Sequence, residues 1–403
     1  MAPGSGLQRD AGLPLWPPHA GKRIHCLACP LQRRPELKAW LRLIVLSLAV
    51  LLLSACAEEE PLRIGVLVEL TGRTADLGEA ARNGVTLAVD EFRAAGPFSG
   101  QRIELLVRDT GPDPESARQA AEGLLHLGVD AVIGPTTSGM TDVILPIFEK
   151  ARVLLVSPSA SAVKFHGRDD MLFRINWTTR DNGRHYATHY FQKGIRRISI
   201  AVNENNRSFS ESWLMEFQTA YEALGGVVLV ASYFDSGSAN HSGVIASMLQ
   251  PRPDGLLFIG NAVDAARLAQ QARKVDAKIV LISVEWAATE QLIELGGKAV
   301  EGMMIVQNYN QDDPSPRYQR FREAYRQRFG KEPVFGSVLA HDAATVTLTA
   351  LARRTKGMSA KAALFKFGPY EGLQQSIRFD ANGDADRAAY FMVIGDGRFL
   401  REP

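Results

Sequence analysis

Arg63-Ile64-Gly65-Val66-Leu67-Val68, followed past a polar loop by Leu77–Ala95 with apolar residues at Ala81, Val85, Ala88, Val89 and Phe92, decides the fold class. The first stretch is apolar without alternation, the pattern of a strand buried on both faces. The second spaces its apolar residues three and four apart, one face of an amphipathic helix. Working outward, Ile103–Val107 reads as the next strand and Pro114–Leu127 as the next helix. Ala131-Val132-Ile133, the helix Thr141–Lys150 and the strand Val153–Val156 continue the series. Regular alternation of strand and helix predicts a parallel sheet covered on both faces.

The layout then restarts. Ile198–Val202, Val227–Ala231, Leu256–Ile259, Ile279–Ile282 and Met303–Val306 read as strands, and Ser210–Leu224, Gly243–Leu249 and Ala262–Val275 as helices between them. Helical stretches follow at Pro316–Phe329, Val338–Arg354 and Ala360–Phe365. Strands near Ile377-Arg378-Phe379 and Ala389–Ile394 close the chain, with Asn382-Gly383-Asp384 a turn signal between them. The same βα layout twice predicts two similar α/β lobes.

Upstream lies the apolar run Leu43–Cys56, 14 residues long, where a bilayer-spanning helix needs roughly 20. Arg33, Arg34, Lys38 and Arg42 precede it and Glu58-Glu59-Glu60 follows. A basic flank, a short apolar core and small residues at its end are the layout of a secretory signal rather than a membrane anchor or core helix. Leu53-Ser54-Ala55-Cys56 looks like a bacterial lipobox, in which Cys56 becomes the lipidated first residue. Residues 1–36, rich in Pro, Gly and Arg, have no apolar period with which to build a core, and their length points to a start site placed too far upstream, with a genuine long leader as the alternative. Cys26 and Cys29 have CxxC spacing but no second pair, and they fall in the segment to be removed.

Residues 1–55 hold seven basic and two acidic residues, so the net charge of +2 becomes −3 without them. That excludes a basic nucleic-acid footprint. All three cysteines lie at or before position 56, so no disulfide is expected in the exported body. Its 348 residues suffice for two cores, since single cores stop growing near roughly 250–300 residues.

Ligands of open parallel sheets bind beyond the carboxyl ends of strands, which directs attention to the loops after Val68, Ile133, Val156, Val202, Ile259 and Ile282. After Ile133 the chain reads Gly134-Pro135-Thr136-Thr137-Ser138-Gly139-Met140-Thr141. A hydroxyl cluster there is first an N-cap, and it also leaves backbone N–H groups and a positive dipole end for an anion. Ser157-Pro158-Ser159-Ala160-Ser161 repeats the theme after Val156. Together the two loops are expected to grip one carboxylate. After Ile282 comes Ser283-Val284-Glu285-Trp286. Its Glu285 is placed to meet an ammonium group, against the plainer reading of an exposed loop glutamate. An anion grip on one lobe and an acid on the other match a zwitterion.

On these residues the chain resembles the periplasmic substrate-binding proteins of branched-chain amino acid (Leu/Ile/Val-binding) ABC importers, over essentially all of Leu62–Pro403. The matching segments are Arg63–Val66 to Leu70-Thr71-Gly72, Gly78, Asn83-Gly84, Asp109 with Asp113-Pro114, and Ile133-Gly134. Ser157-Pro158, Arg174 with Asp181, Glu301-Gly302, Asp342-Ala343, and Phe379-Asp380 with Asn382-Gly383-Asp384 complete them. The resemblance implies the type I periplasmic-binding fold, α/β, with two doubly wound parallel-sheet lobes joined by three hinge crossovers. The implied division is a leader at 1–55, a lipidated tether at 56–61, lobe 1 at 62–178 plus 307–374, and lobe 2 at 179–306 plus 375–403. It implies carboxylate contacts at Ser138, the backbone of Ser159, and Ser161, and an ammonium contact at Glu285. Pocket walls fall on Leu77, Phe209 and Asn261, where relatives often carry tyrosine. The family disulfide is missing, with Pro112 and Thr137 at its approximate positions. These departures leave room for a ligand other than leucine, isoleucine or valine, such as other amino acids, amides, urea or aromatic acids.

No GxSxG, GxxxxGK[ST] or HExxH motif is present, so an enzyme is not expected, an exported hydrolase included. His185 and His189 share a helical face, but Asp181 reads as the cap that starts that helix, leaving two histidines short of a metal site. The Asn176-Trp177-Thr178 sequon carries little meaning behind a bacterial lipid signal. No cofactor is expected. The expected partners are a small-molecule ligand, ABC permease and ATPase subunits, and the membrane through the lipid anchor, placing the protein in the periplasm or cell envelope. The alternative is a sensing subunit that binds an amide, urea or aromatic acid and signals to a regulator.

Overall fold

The computed structural model describes residues 40, 60–96, 101–238 and 240–402. Apart from residue 40, the leader lies outside them, as do the apolar run and Cys56. From residue 60 onward the described chain forms a compact unit built on two large sheets and one two-stranded pair. The first contains β1 (Leu62–Val68), β2 (Ile103–Asp109), β3 (Ala131–Ile133), β4 (Leu154–Ser157) and β5 (Leu172–Arg174), all parallel, in the order β2-β1-β3-β4-β5. Between them run α1 (Ala75–Ala95), α2 (Pro114–His126) and α3 (Ser138–Ala151).

Helix α4 (Thr179–Gln192) leads into the second sheet. Strands β6 (Arg197–Asn203), β7 (Val227–Phe234), β8 (Gly255–Ile259), β9 (Val280–Ser283) and β10 (Met304–Gln307) are parallel, alternating with α5 (Arg207–Ala223), α6 (His241–Leu249), α7 (Ala262–Val275) and α8 (Glu290–Gly296). The chain then returns to the first lobe as α9 (Pro316–Phe329), α10 (Phe335–Ala352) and α11 (Ala360–Phe367); α10 packs on α1, β3 and β4. The short pair β11 (Tyr370–Glu371) and β12 (Ser376–Ile377) precedes the hairpin β13 (Tyr390–Gly395) and β14 (Arg398–Arg401), which joins the second sheet antiparallel beside β10.

The burial pattern explains the strands. Every residue of β3, β4 and β8 is buried, as doubly covered strands require. Helix α10 is long and apolar enough to span a membrane, yet 83% of it is buried in the protein, which marks it as a core helix. Its apolar surface is consumed by its neighbours on several sides rather than along one stripe.

The three crossovers are tied to one another. Asn308, after β10, donates its side-chain amide to the Asn176 carbonyl oxygen at 2.8 Å, joining the first and second crossovers. The Asn308 backbone carbonyl accepts from Arg387 Nε at 2.8 Å, joining the third. Arg387 in turn pairs with Asp342 of α10 at 2.8 Å, both groups being almost wholly buried.

Two expectations are corrected here. Thr178, not Asp181, caps α4: its hydroxyl accepts the Asp181 N–H and donates to the Asp181 carboxylate, so Asp181 occupies the first turn. The third crossover also comes later than 374/375. β12 pairs with β11, and Asp384 bridges to Arg174 at the end of β5, so the chain stays beside the first sheet until about residue 385. Accordingly only Ser376–Ile377 of the expected strand near 377–379 is strand. The Asn382-Gly383-Asp384 turn forms, with Asp380 accepting the N–H groups of Asn382 and Asp384, but it positions Asp384 rather than closing a hairpin.

Candidate functional site

The carboxyl ends of the two sheets face one another across a cleft lined by Leu77, Ser138, Ser159, Ser161, Phe209 and Glu285, with Thr136, Thr137, Asn176, Asn206, Trp286 and Phe335 completing the wall. It encloses about 20 Å³, about the room of one water molecule, so the lobes must part to admit a ligand. Six of the seven ligand-contact residues expected from sequence thus come together. Asn261 stands apart. Its side chain caps α7 by accepting the Asp264 N–H at 3.0 Å, and it lines an adjoining cavity instead.

The hydroxyl side is built from two loops. Thr137 is the N-cap of α3, so Ser138 and Gly139 form its first turn, where the dipole favours negative charge. Ser138 Oγ accepts the backbone N–H groups of Ser161 (3.2 Å) and Ala162 (3.1 Å). Two donors on that oxygen leave the hydroxyl proton free to donate into the cleft. Ser159 spends its hydroxyl on the Thr136 carbonyl at 2.7 Å, so its backbone amide is the part that can serve a ligand. Behind the loop, Thr137 Oγ1 donates to Glu69 Oε1 at 2.5 Å and Thr136 Oγ1 donates to the other Glu69 oxygen. Burial pushes the Glu69 carboxyl above its ordinary value, against the pull of those two hydroxyls.

Tight backbone packing holds the same loop. Gly134 has φ +117°, and a Cβ there would lie 2.0 Å from the Leu67 carbonyl oxygen. Only glycine fits.

Opposite lies Glu285, just past β9 in a short 3₁₀ turn and 4% exposed. Asn182 Nδ2 donates to its Oε1 at 2.7 Å; Trp213 Nε1 (3.2 Å) and the Tyr186 hydroxyl (3.4 Å) donate to its Oε2. These partners are all neutral, and among the described residues no cation pairs with this carboxylate. Burial therefore dominates and pushes its pKa up to about 7, the hydrogen bonds offsetting it only in part. A buried acid ringed by neutral donors and open to a cleft has the chemistry to pair with a cation.

Sequence reasoning missed this ring. Asn182 and Tyr186 are one helical turn apart on the buried face of α4, a pairing visible in the sequence only once that face is known to be inward. Asn206 was missed too, although it sits in the loop after Val202 that strand-end logic singles out. Its Oδ1 accepts the Gly139 N–H at 2.8 Å, tying the start of α3 to the opposite lobe. The Thr289 hydroxyl makes a second such tie, donating to Asp76 at 2.7 Å. His185 and His189 do not approach the cleft: His185 stacks on Trp177, and His189 stacks on Phe391 and bonds Glu402.

A model of the family described as periplasmic binding protein matches residues 61–398. A Leu/Ile/Val-binding protein homolog 2 of Brucella abortus is 25% identical over 336 residues, 82% of this chain and 89% of that one. A leucine-binding protein of Thermotoga maritima shares the structure with a TM-score of 0.79 at 26% identity, over 85% of this chain and 98% of its own. A solute-binding protein of an ABC transporter from R. palustris, solved with benzoate, shares the fold with a TM-score of 0.75 at 19% identity, over 85% and 95% of the two chains. With a family match over most of the chain, two sheets hinged by three tied crossovers, and a cleft between them, the chain belongs to the periplasmic binding protein family, in its branched-chain amino acid ABC transporter type.

Proposed function

We propose that the chain is an extracytoplasmic solute-binding lipoprotein, held to the membrane through Cys56, that captures an amino acid and delivers it to the permease and ATPase of an ABC importer without chemistry. The observation that carries the ligand reading is Glu285, buried with neutral partners and facing the serine loops across the cleft. A zwitterion satisfies both sides: Ser138, the Ser159 amide and Ser161 take the carboxylate, and Glu285 takes the ammonium. Charge-assisted hydrogen bonds of this kind contribute about 1.5–3 kcal/mol each. Leucine is the ligand named for the Thermotoga relative, and the Brucella relative carries the Leu/Ile/Val name.

A second reading, a sensing subunit for an amide, urea or aromatic acid, draws on the aromatic wall, where Phe209 and Trp286 meet edge to face at 5.6 Å. A thermal-shift screen of amino acids, amides and aromatic acids decides between them, because a ligand that binds only the folded state raises Tm. Calorimetry on Glu285→Gln then tests the contact: an amino-acid ligand should lose about tenfold or more in affinity. Unchanged affinity would remove Glu285 from the site. Labelling with radioactive palmitate, abolished in Cys56→Ser, tests the anchor.

A further inference from the structure

The cleft between the serine loops and Glu285 is narrow, and it does not end blindly. A second cavity of about 380 Å³ adjoins it, sharing Thr137, Asn206 and Trp286 as a common wall. Its far end is framed from both lobes: Thr71 and Arg73 come from the loop after β1, Asn205 and Asp235 from loops after β6 and β7.

The chemistry of this end is polar and two-sided. Arg73 makes no hydrogen bond or ion pair with any described residue, although its charge is felt by Asp235 and Asp264. Asp235 is held in place, accepting from Asn205 Nδ2 at 3.0 Å and from the Gly237 N–H at 2.6 Å, and these hydrogen bonds keep its carboxyl below the usual range. The subsite therefore offers, side by side, a cation with no partner among the described residues and a fixed anion. At the junction with the cleft, Trp286 is 8% exposed and its indole N–H has no hydrogen-bond partner among the described residues, a donor left over in a residue that lines both cavities.

Resting on the amino-acid reading of the cleft, we propose that this second cavity takes the ligand's side chain, and that the side chain is long, uncharged and ends in a carboxamide or ureido group. Such a group supplies what the walls lack. Its carbonyl oxygen accepts from Arg73 or the Trp286 indole, and its N–H groups donate to Asp235. A terminal carboxylate meets Asp235 with like charge, and a terminal ammonium or guanidinium meets Arg73 in the same way. An aliphatic side chain leaves both charges without gain.

Calorimetry with L-citrulline, L-glutamine, L-norleucine, L-glutamate and L-lysine tests this on the unaltered protein and on Arg73→Met. Citrulline or glutamine should bind at least about tenfold more tightly than norleucine, glutamate and lysine, one charge-assisted hydrogen bond's worth of selectivity. In Arg73→Met the ratio of citrulline to norleucine affinity should fall by about the same factor; because it is a ratio within one protein, it does not depend on how much of the variant folds. Norleucine, glutamate or lysine binding as tightly as the ureido and carboxamide ligands, or a ratio unmoved by Arg73→Met, overturns the subsite and leaves the zwitterion cleft standing. Heat from none of the five defeats the cleft reading itself.

Discussion

Glu285 stands near its midpoint at neutral pH, and that governs how the empty and filled protein respond to acid. Its carboxyl rises from 4.5 to about 7 on folding, so the folded state holds the proton more tightly than the unfolded chain. The stability this confers is fully present below about pH 4.5 and is lost as pH climbs through about 7, a change of about 3 kcal/mol. Chemical denaturation of the ligand-free protein between pH 5 and 8 should show that slope, and Glu285→Gln should lack it; matching profiles for the two proteins would place the titration elsewhere. Binding has the opposite sense. An ammonium ligand needs the ionised acid, so its affinity should weaken by about tenfold per unit as pH falls below about 7. Calorimetry in buffers of different ionisation enthalpy should then detect proton release near that pH. Glu285 was legible in the sequence because it follows a strand end. Its ring of Asn182, Tyr186 and Trp213 was not, since those residues belong to two helices whose inward faces are set only by tertiary packing.

Among the elements, α3 and the loop before it bear the heaviest constraint. Thr137 caps the helix by accepting from the Met140 N–H, and its hydroxyl proton goes to Glu69. Gly134→Ala forces a Cβ into the Leu67 carbonyl, so β1 and β3 must separate beside the loop proposed to grip the ligand's carboxylate. We expect a loss of more than about 2 kcal/mol in stability, read as a lower urea midpoint, together with weaker ligand binding. The parallel strands with their helices were readable because continuous apolar runs such as Leu256–Ile259 and spaced ones such as Ala262–Val275 differ in period. Three-residue β5 was not, because Leu172-Phe173-Arg174 ends in a charged residue and so lacks the unbroken apolar run that marks β3. The strand expected near 377–379 failed because the Arg174 to Asp384 bridge holds that segment against the first sheet, an attachment that no local pattern announces.

In the whole molecule, the lobes are joined where Asn308 links all three crossovers and Arg387 fastens them to Asp342. Removing one partner of a buried pair leaves the other charge uncompensated, at about 3–5 kcal/mol. Arg387→Met should therefore lower the denaturation midpoint steeply, whereas the exposed pair of Arg207 and Glu211 should cost less than about 1 kcal/mol when broken. Closure over the ligand should depend on ties of the other kind, those that span the mouth. Thr289→Val removes the contact to Asp76 and is expected to speed ligand release several-fold in stopped-flow measurements while leaving association unchanged. Finally, β14 is an edge strand whose register with β13 runs from Gly395–Arg398 to Met392–Arg401, and Glu402 just beyond it clasps His189 and Lys193 on α4. A purification handle must therefore be appended no earlier than residue 403: a version trimmed back to residue 397 would expose a raw sheet margin, and such a preparation should aggregate on concentration where one that keeps β14 and Glu402 stays dispersed.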